Sequence, residues 1–207
     1  MEDHEETTME NKTAVEDLKL LIESIKYQQQ DLEFQEQALK TMASVFRTSD
    51  SASSYLVTSD GLEHILRILL SSNDKPNSLR EACLHALCAA CENNAIAQQA
   101  LCILEIFYVL KKFLLMKSST RLQTLSCYLL ICLMTNNEKG QTLARETKCV
   151  DTLRYLFKDV HSPSCSPRIP NRLTECVSSE CQENEALINL WQTATNALSV
   201  SVNNPQN

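Results

Sequence analysis

A hydrophobic triplet spaced i, i+3, i+7 recurs four times along this chain at a nearly constant interval, and that recurrence constrains the fold more than any other feature. The triplets are Leu18, Leu21 and Ile25; Leu62, Ile65 and Leu69; Phe107, Leu110 and Leu114; and Val150, Leu153 and Phe157, with starts 44, 45 and 43 residues apart. This spacing puts three apolar side chains on one stripe of an α-helix, and the stripe must be buried against something. A second triplet follows each first one: Leu39, Met42 and Phe46; Leu84, Leu87 and Cys91; Cys127, Leu130 and Met134; then Thr195, Leu198 and Val202. It begins 21, 22 and 20 residues after its partner in the first three units and 45 in the fourth. The fourth unit therefore carries an insertion of about 24 residues, roughly 161–185, whose Pro163, Pro167 and Pro170 predict a loop.

Between the second helix of one unit and the first of the next lie polar seams, from Thr48-Ser49 to Leu62, from Asn93-Asn94 to Phe107 and from Asn136 to Val150. Each contains helix-compatible residues, such as Gln98, Gln99, Ala100 and Leu101, so a short third helix is expected in every seam. The stretch Lys139-Gly140-Gln141-Thr142 has a faint look of a phosphate loop, but that motif needs several glycines after a strand and a Lys-Ser/Thr pair entering a helix. Two glycines and five prolines in 207 residues leave little turn chemistry for tightly connected strands. The expected class is all-α.

Three helices in 42 to 45 residues is the armadillo/HEAT pattern, and Leu66 to Asp74 followed by Arg80 to Leu87 resembles the armadillo repeat in particular. The expected architecture is an armadillo/HEAT-like right-handed α-solenoid of about four repeats, at about 15–60, 61–105, 106–148 and 149–207. Residues 1–14 read as an acidic disordered arm, since the first 17 residues hold seven acids, one lysine and no apolar stripe.

The formal net charge is −7 with no Lys/Arg-rich run, which argues against direct nucleic-acid binding by this segment. No stretch reaches the roughly 20 apolar residues of a transmembrane helix, and the acidic start is the wrong charge for a signal peptide. Seven of the ten cysteines (Cys83, Cys88, Cys91, Cys102, Cys127, Cys132 and Cys149) lie in or beside apolar helical sequence and read as small buried hydrophobes in a reducing compartment. Cys88 and Cys91 have zinc-like spacing, but the helical stripe already claims Cys91. Cys165, Cys176, Cys181 and His161 in the insertion lack the two tight pairs of a structural zinc site. His64, His85 and His161 are scattered, and no nucleophile has a recognisable paired base. Neither an enzyme active site, a cofactor nor a small-molecule substrate is expected.

Armadillo proteins that clamp extended basic peptides use Asn and Trp ladders along the last helix of each repeat. Here the Asn positions hold Ser44, Ala89, Cys132 and Val200, and the Trp positions hold Lys40, His85, Tyr128 and Asn196. The resemblance thus implies the fold without the importin-like clamp. Along this strip the candidate partner-facing residues are Lys40, Arg47, His85, Glu92, Tyr128, Thr135 and Asn196, with His85 and Tyr128 as the favoured anchors.

Longer strings resemble the bouquet-formation family of meiotic telomere proteins: Asn136 to Cys149, Ser201 to Asn207 and, more loosely, Leu20 to Gln28 and Gln98 to Cys102. The resemblance implies a non-enzymatic, meiosis-specific scaffold in the nucleus that helps attach telomeres to the inner nuclear membrane. The partners it implies are other bouquet-formation subunits, the SUN-domain bridge and the shelterin telomere-repeat factor. A generic cytoplasmic armadillo adaptor is the alternative. The family's longer chain continues beyond the fourth unit into further segments, so this sequence reads as a fragment, a short isoform or a truncated gene model. Its last helix, with Leu187, Leu190, Trp191 and Leu198, is expected to be the least protected.

Overall fold

The computed structural model describes residues 2–71, 75–92, 94–103, 106–116 and 119–158. Among them are ten α-helices and no strand: α1 (Glu2–Tyr27), α2 (Leu32–Thr48), α3 (Asp50–Thr58), α4 (Gly61–Leu70), α5 (Asn77–Cys91), α6 (Ala95–Ile103), α7 (Ile106–Leu114), α8 (Thr120–Met134), α9 (Glu138–Glu146) and α10 (Cys149–Lys158). The order repeats every three helices. First triplets fall in α1, α4, α7 and α10, second triplets in α2, α5 and α8, and each seam becomes a nine-residue helix, α3, α6 or α9.

Burial follows the stripes. Leu62, Ile65, Leu69, Phe107, Leu110 and Leu114 are buried, as are all nine members of the second triplets in α2, α5 and α8. Packing runs between equivalent helices: α2 lies on α5 and α5 on α8, while α3 lies on α6 and α6 on α9, and α7 on α10. Within units α1 packs on α2, α4 on α5 and α7 on α8. The result is one continuous apolar core from Leu18 to Val150. No pair of helices could bury its stripes alone, so each unit is stabilised by its neighbours.

Seams begin with a matched cap. Ser49 Oγ accepts from Ala52 N at 3.3 Å, Asn94 Oδ1 from Ala97 N at 3.0 Å and Asn137 Oδ1 from Gly140 N at 3.2 Å. Each cap satisfies an orphan donor of the seam helix and contributes about 1 kcal/mol. Three residues on, Ala52, Ala97 and Gly140 are all buried, because the seam helix passes close to the helix before it. A Cβ on Gly140 would run into the Leu133 carbonyl. The Lys-Gly-Gln-Thr stretch is therefore a packed helix start: Gln141 Nε2 donates to Met134 O at 3.1 Å, as Gln98 Nε2 does to Cys91 O at 3.0 Å. Two seams also end alike, with Asp60 and Lys148 in the left-handed region at φ 58° and 61°, reversing the chain into α4 and α10.

The acidic start differs from the disordered arm expected over 1–14, since α1 runs unbroken from Glu2. Glutamate, methionine and lysine are good helix formers, and no Pro or Gly intervenes. The insertion at 161–185, the terminal helix with Trp191 and most of the fourth unit lie outside the described residues.

Candidate partner-binding strip

The helices α2, α5 and α8 stack side by side, so residues at matching register form a strip across three units. Lys40, Arg47 and Glu92 are exposed, while His85, Tyr128 and Thr135 are half-buried. Asn196 lies outside the described residues.

Strip residues meet in a repeating way. Arg47, near the end of α2, places Nη2 at 2.6 Å from Nε2 of His85 on α5. A guanidinium has only donors, so His85 accepts through Nε2. Glu92, at the matching position just past α5, hydrogen-bonds Tyr128 on α8. The end of one second-triplet helix thus reaches the middle of the next, in two successive units. Burial, then the negative neighbourhood of Cys132 and Glu92, keeps the Tyr128 phenol protonated far above its usual range. Its hydroxyl serves as a donor to Glu92.

At the other end of these helices a second set of contacts repeats. Glu36 is held below the usual carboxylate range by hydrogen bonds from Lys40 and Ser78, and Lys40 Nζ lies 2.7 Å from Glu36 Oε1. In the next unit Glu81 accepts from Ser119 Oγ at 3.2 Å and pairs with Arg121 Nε at 3.2 Å. Exposed pairs of this kind contribute about 0–1 kcal/mol each; they fix register more than stability. Thr135 donates its hydroxyl to Ile131 O at 2.8 Å, which commits it to closing α8.

The strip sets a cation beside an imidazole and a carboxylate beside a phenol, with small residues between them. The cysteines beneath are poor nucleophiles. Burial pushes the Cys83, Cys127 and Cys132 thiols up to about 12 and those of Cys88 and Cys91 well above their ordinary value. Cys88 and Cys91 are packed in the core, and no group of three His, Cys, Asp or Glu among the described residues is placed to hold a metal ion. No helix among the described residues is long and apolar enough to cross a membrane. Sequence reasoning placed Arg47, His85, Glu92 and Tyr128 on one strip but did not pair Arg47 with His85 or Glu92 with Tyr128. The matching register of Arg47 and Glu92, each seven residues beyond the Lys40 or His85 position, was the available signal.

No family model matches the chain. In fold it is similar to an engineered protein of known crystal structure, with a TM-score of 0.63 and 17% identity over 86% of this chain and 68% of that one. In sequence it is 35% identical to human telomere repeats-binding bouquet formation protein 1 over 200 residues, which is 97% of this chain and 25% of the human protein. The mouse protein of that name is 35% identical over 97% of this chain, and the zebrafish (Danio rerio) protein 31% over 81%. The chain spans about a quarter of the length of its mammalian relatives. Across nearly its whole length, therefore, this chain is a relative of telomere repeats-binding bouquet formation protein 1.

Proposed function

We propose that this chain is a non-enzymatic scaffold of a meiotic telomere complex, built as an armadillo/HEAT-like right-handed solenoid and docking protein partners along the α2–α5–α8 strip. The similarity to telomere repeats-binding bouquet formation protein 1 across 97% of the chain carries the reading. The three-helix period supports the solenoid, and a surface of paired, half-buried polar side chains supports protein recognition over turnover. In this reading the repeats fall at about 15–60, 61–105, 106–148 and 149–207. The protein works in the nucleus, at telomeres attached to the inner nuclear membrane in meiotic prophase. Its partners are other bouquet-formation subunits, the SUN-domain bridge and the shelterin telomere-repeat factor. Lys40, Arg47, His85, Glu92, Tyr128, Thr135 and Asn196 form the docking strip, with His85 and Tyr128 as anchors. The chain's net charge of −7 gives it little means of binding DNA directly.

Fluorescence imaging of the tagged chain in meiotic prophase cells tests this. Foci coinciding with telomeres at the nuclear periphery are expected. A diffuse cytosolic signal through prophase, in cells whose telomeres are attached, would contradict it.

A further inference from the structure

The end of each second-triplet helix presents one strip residue, and its charge changes from unit to unit: Arg47 on α2, Glu92 past α5 and Thr135 past α8. A cation there suits the negative end of a helix, whereas a carboxylate is repelled by it. Glu92 is nevertheless the C-cap residue of α5, and it is exposed. A side chain set against its own helix in this way points to function rather than folding.

The charges at the other end of the strip are cancelled within the chain, Lys40 by Glu36 at 2.7 Å and Arg121 by Glu81 at 3.2 Å. Arg47 and Glu92 instead bond the imidazole of His85 and the phenol of Tyr128. Both act electrostatically on the buried Cys88 thiol, so the two opposite charges share one neighbourhood. Packed helices lie about 8–10 Å apart, and matching register on α2 and α5 sets the cation and the carboxylate about that far from each other.

We propose that the strip recognises an extended protein segment carrying a carboxylate and a basic side chain about three residues apart, the carboxylate bound by Arg47 and the basic group by Glu92. A polyproline-II chain returns to the same face every third residue after about 9 Å, which fits this spacing. The guanidinium offers paired donors to a carboxylate, and a cation on Glu92 offsets its conflict with the end of α5. His85 and Tyr128 stay beside the two charges as the packing anchors. The inference rests on the strip being the docking surface and names the chemistry of what docks there.

The test is selection of a random twelve-residue peptide display library on the full chain, followed by fluorescence anisotropy with the selected peptides. Peptides with Asp or Glu about three residues from Lys or Arg are expected. Their affinity should fall as salt is raised, and roughly tenfold or more in Arg47→Gln/Glu92→Gln. The charge exchange Arg47→Glu/Glu92→Arg should transfer binding to the same peptides with acid and base interchanged. Both variants should keep the parent's circular dichroism and thermal midpoint, because both side chains are exposed. Peptides that lose affinity in His85→Ala/Tyr128→Ala but in neither charge variant would overturn the charge pairing and leave the strip as the docking surface. Peptides indifferent to all three variants, or a selection without binders, would overturn it together with the strip. Self-association in sedimentation, abolished by Arg47→Gln/Glu92→Gln, would overturn it by making a second copy the occupant.

Discussion

Gly140 shows how one residue can carry a misleading motif and a real constraint at once. It sits in Lys-Gly-Gln-Thr, yet its lack of a side chain serves the approach of α9 to the Leu133 carbonyl. Gly140→Ala should cost about 2 kcal/mol in urea unfolding, because a backbone oxygen cannot move aside as a side chain can. Gly61→Ala should cost less, since its new Cβ meets side-chain atoms alone, the tips of Leu56 and Ile22 at 2.7 and 2.8 Å and Ser59 Oγ at 3.3 Å. His64 supplies a pH-dependent counterpart. Burial foremost, then the charges of Arg67 and Lys26, lowers its pKa below the ordinary histidine value. The unfolded chain therefore takes up this proton more readily than the folded one. The stability His64 contributes is complete above the ordinary value and declines as pH falls through it toward the folded value. Urea titrations at stepped pH should show a smaller acid-side loss in His64→Gln than in the parent; an equal loss would exclude His64 as the cause.

At the scale of elements, the stripes were legible because burial in a helix pair is periodic, and a period of about 44 residues fixes which helices are equivalent. The extent of α1 was not, since stripe counting detects the buried face of a helix and not a helix that runs past it. The caps Ser49, Asn94 and Asn137 could be read as seam residues, but not as donors' partners until the seam helices were in place. Position within an element sets the energetic consequence. Leu84 is fully buried in α5, a helix that packs on α2 and α8, so Leu84→Ala should destabilise by about 2–5 kcal/mol, through lost burial and the cavity left behind. Leu20 in α1 is 62% exposed, and Leu20→Ala should change stability by about 0.5 kcal/mol or less. Equal effects in denaturant titrations would mean that the stack is not held by its interior helices.

For the whole molecule, the stack converts a sequence period into a surface period. Arg47 with His85 and Glu92 with Tyr128 are 38 and 36 residues apart in sequence, and they meet because α2, α5 and α8 lie side by side. Such pairs cannot be read from a single helix. They become visible only when register is compared between units, which is also how the reversal of charge from Arg47 to Glu92 stands out. The central claim, that this strip recruits the meiotic telomere machinery, meets its most direct test in co-precipitation from meiotic prophase cells expressing the tagged chain or its His85→Ala/Tyr128→Ala variant. Circular dichroism first establishes equal folding. SUN-domain and telomere proteins should accompany the parent chain and fall at least several-fold in the variant, since half-buried anchors dominate such interfaces. Equal recovery with both chains, or recovery of trafficking and cytoskeletal adaptors in place of telomere proteins, would contradict the account.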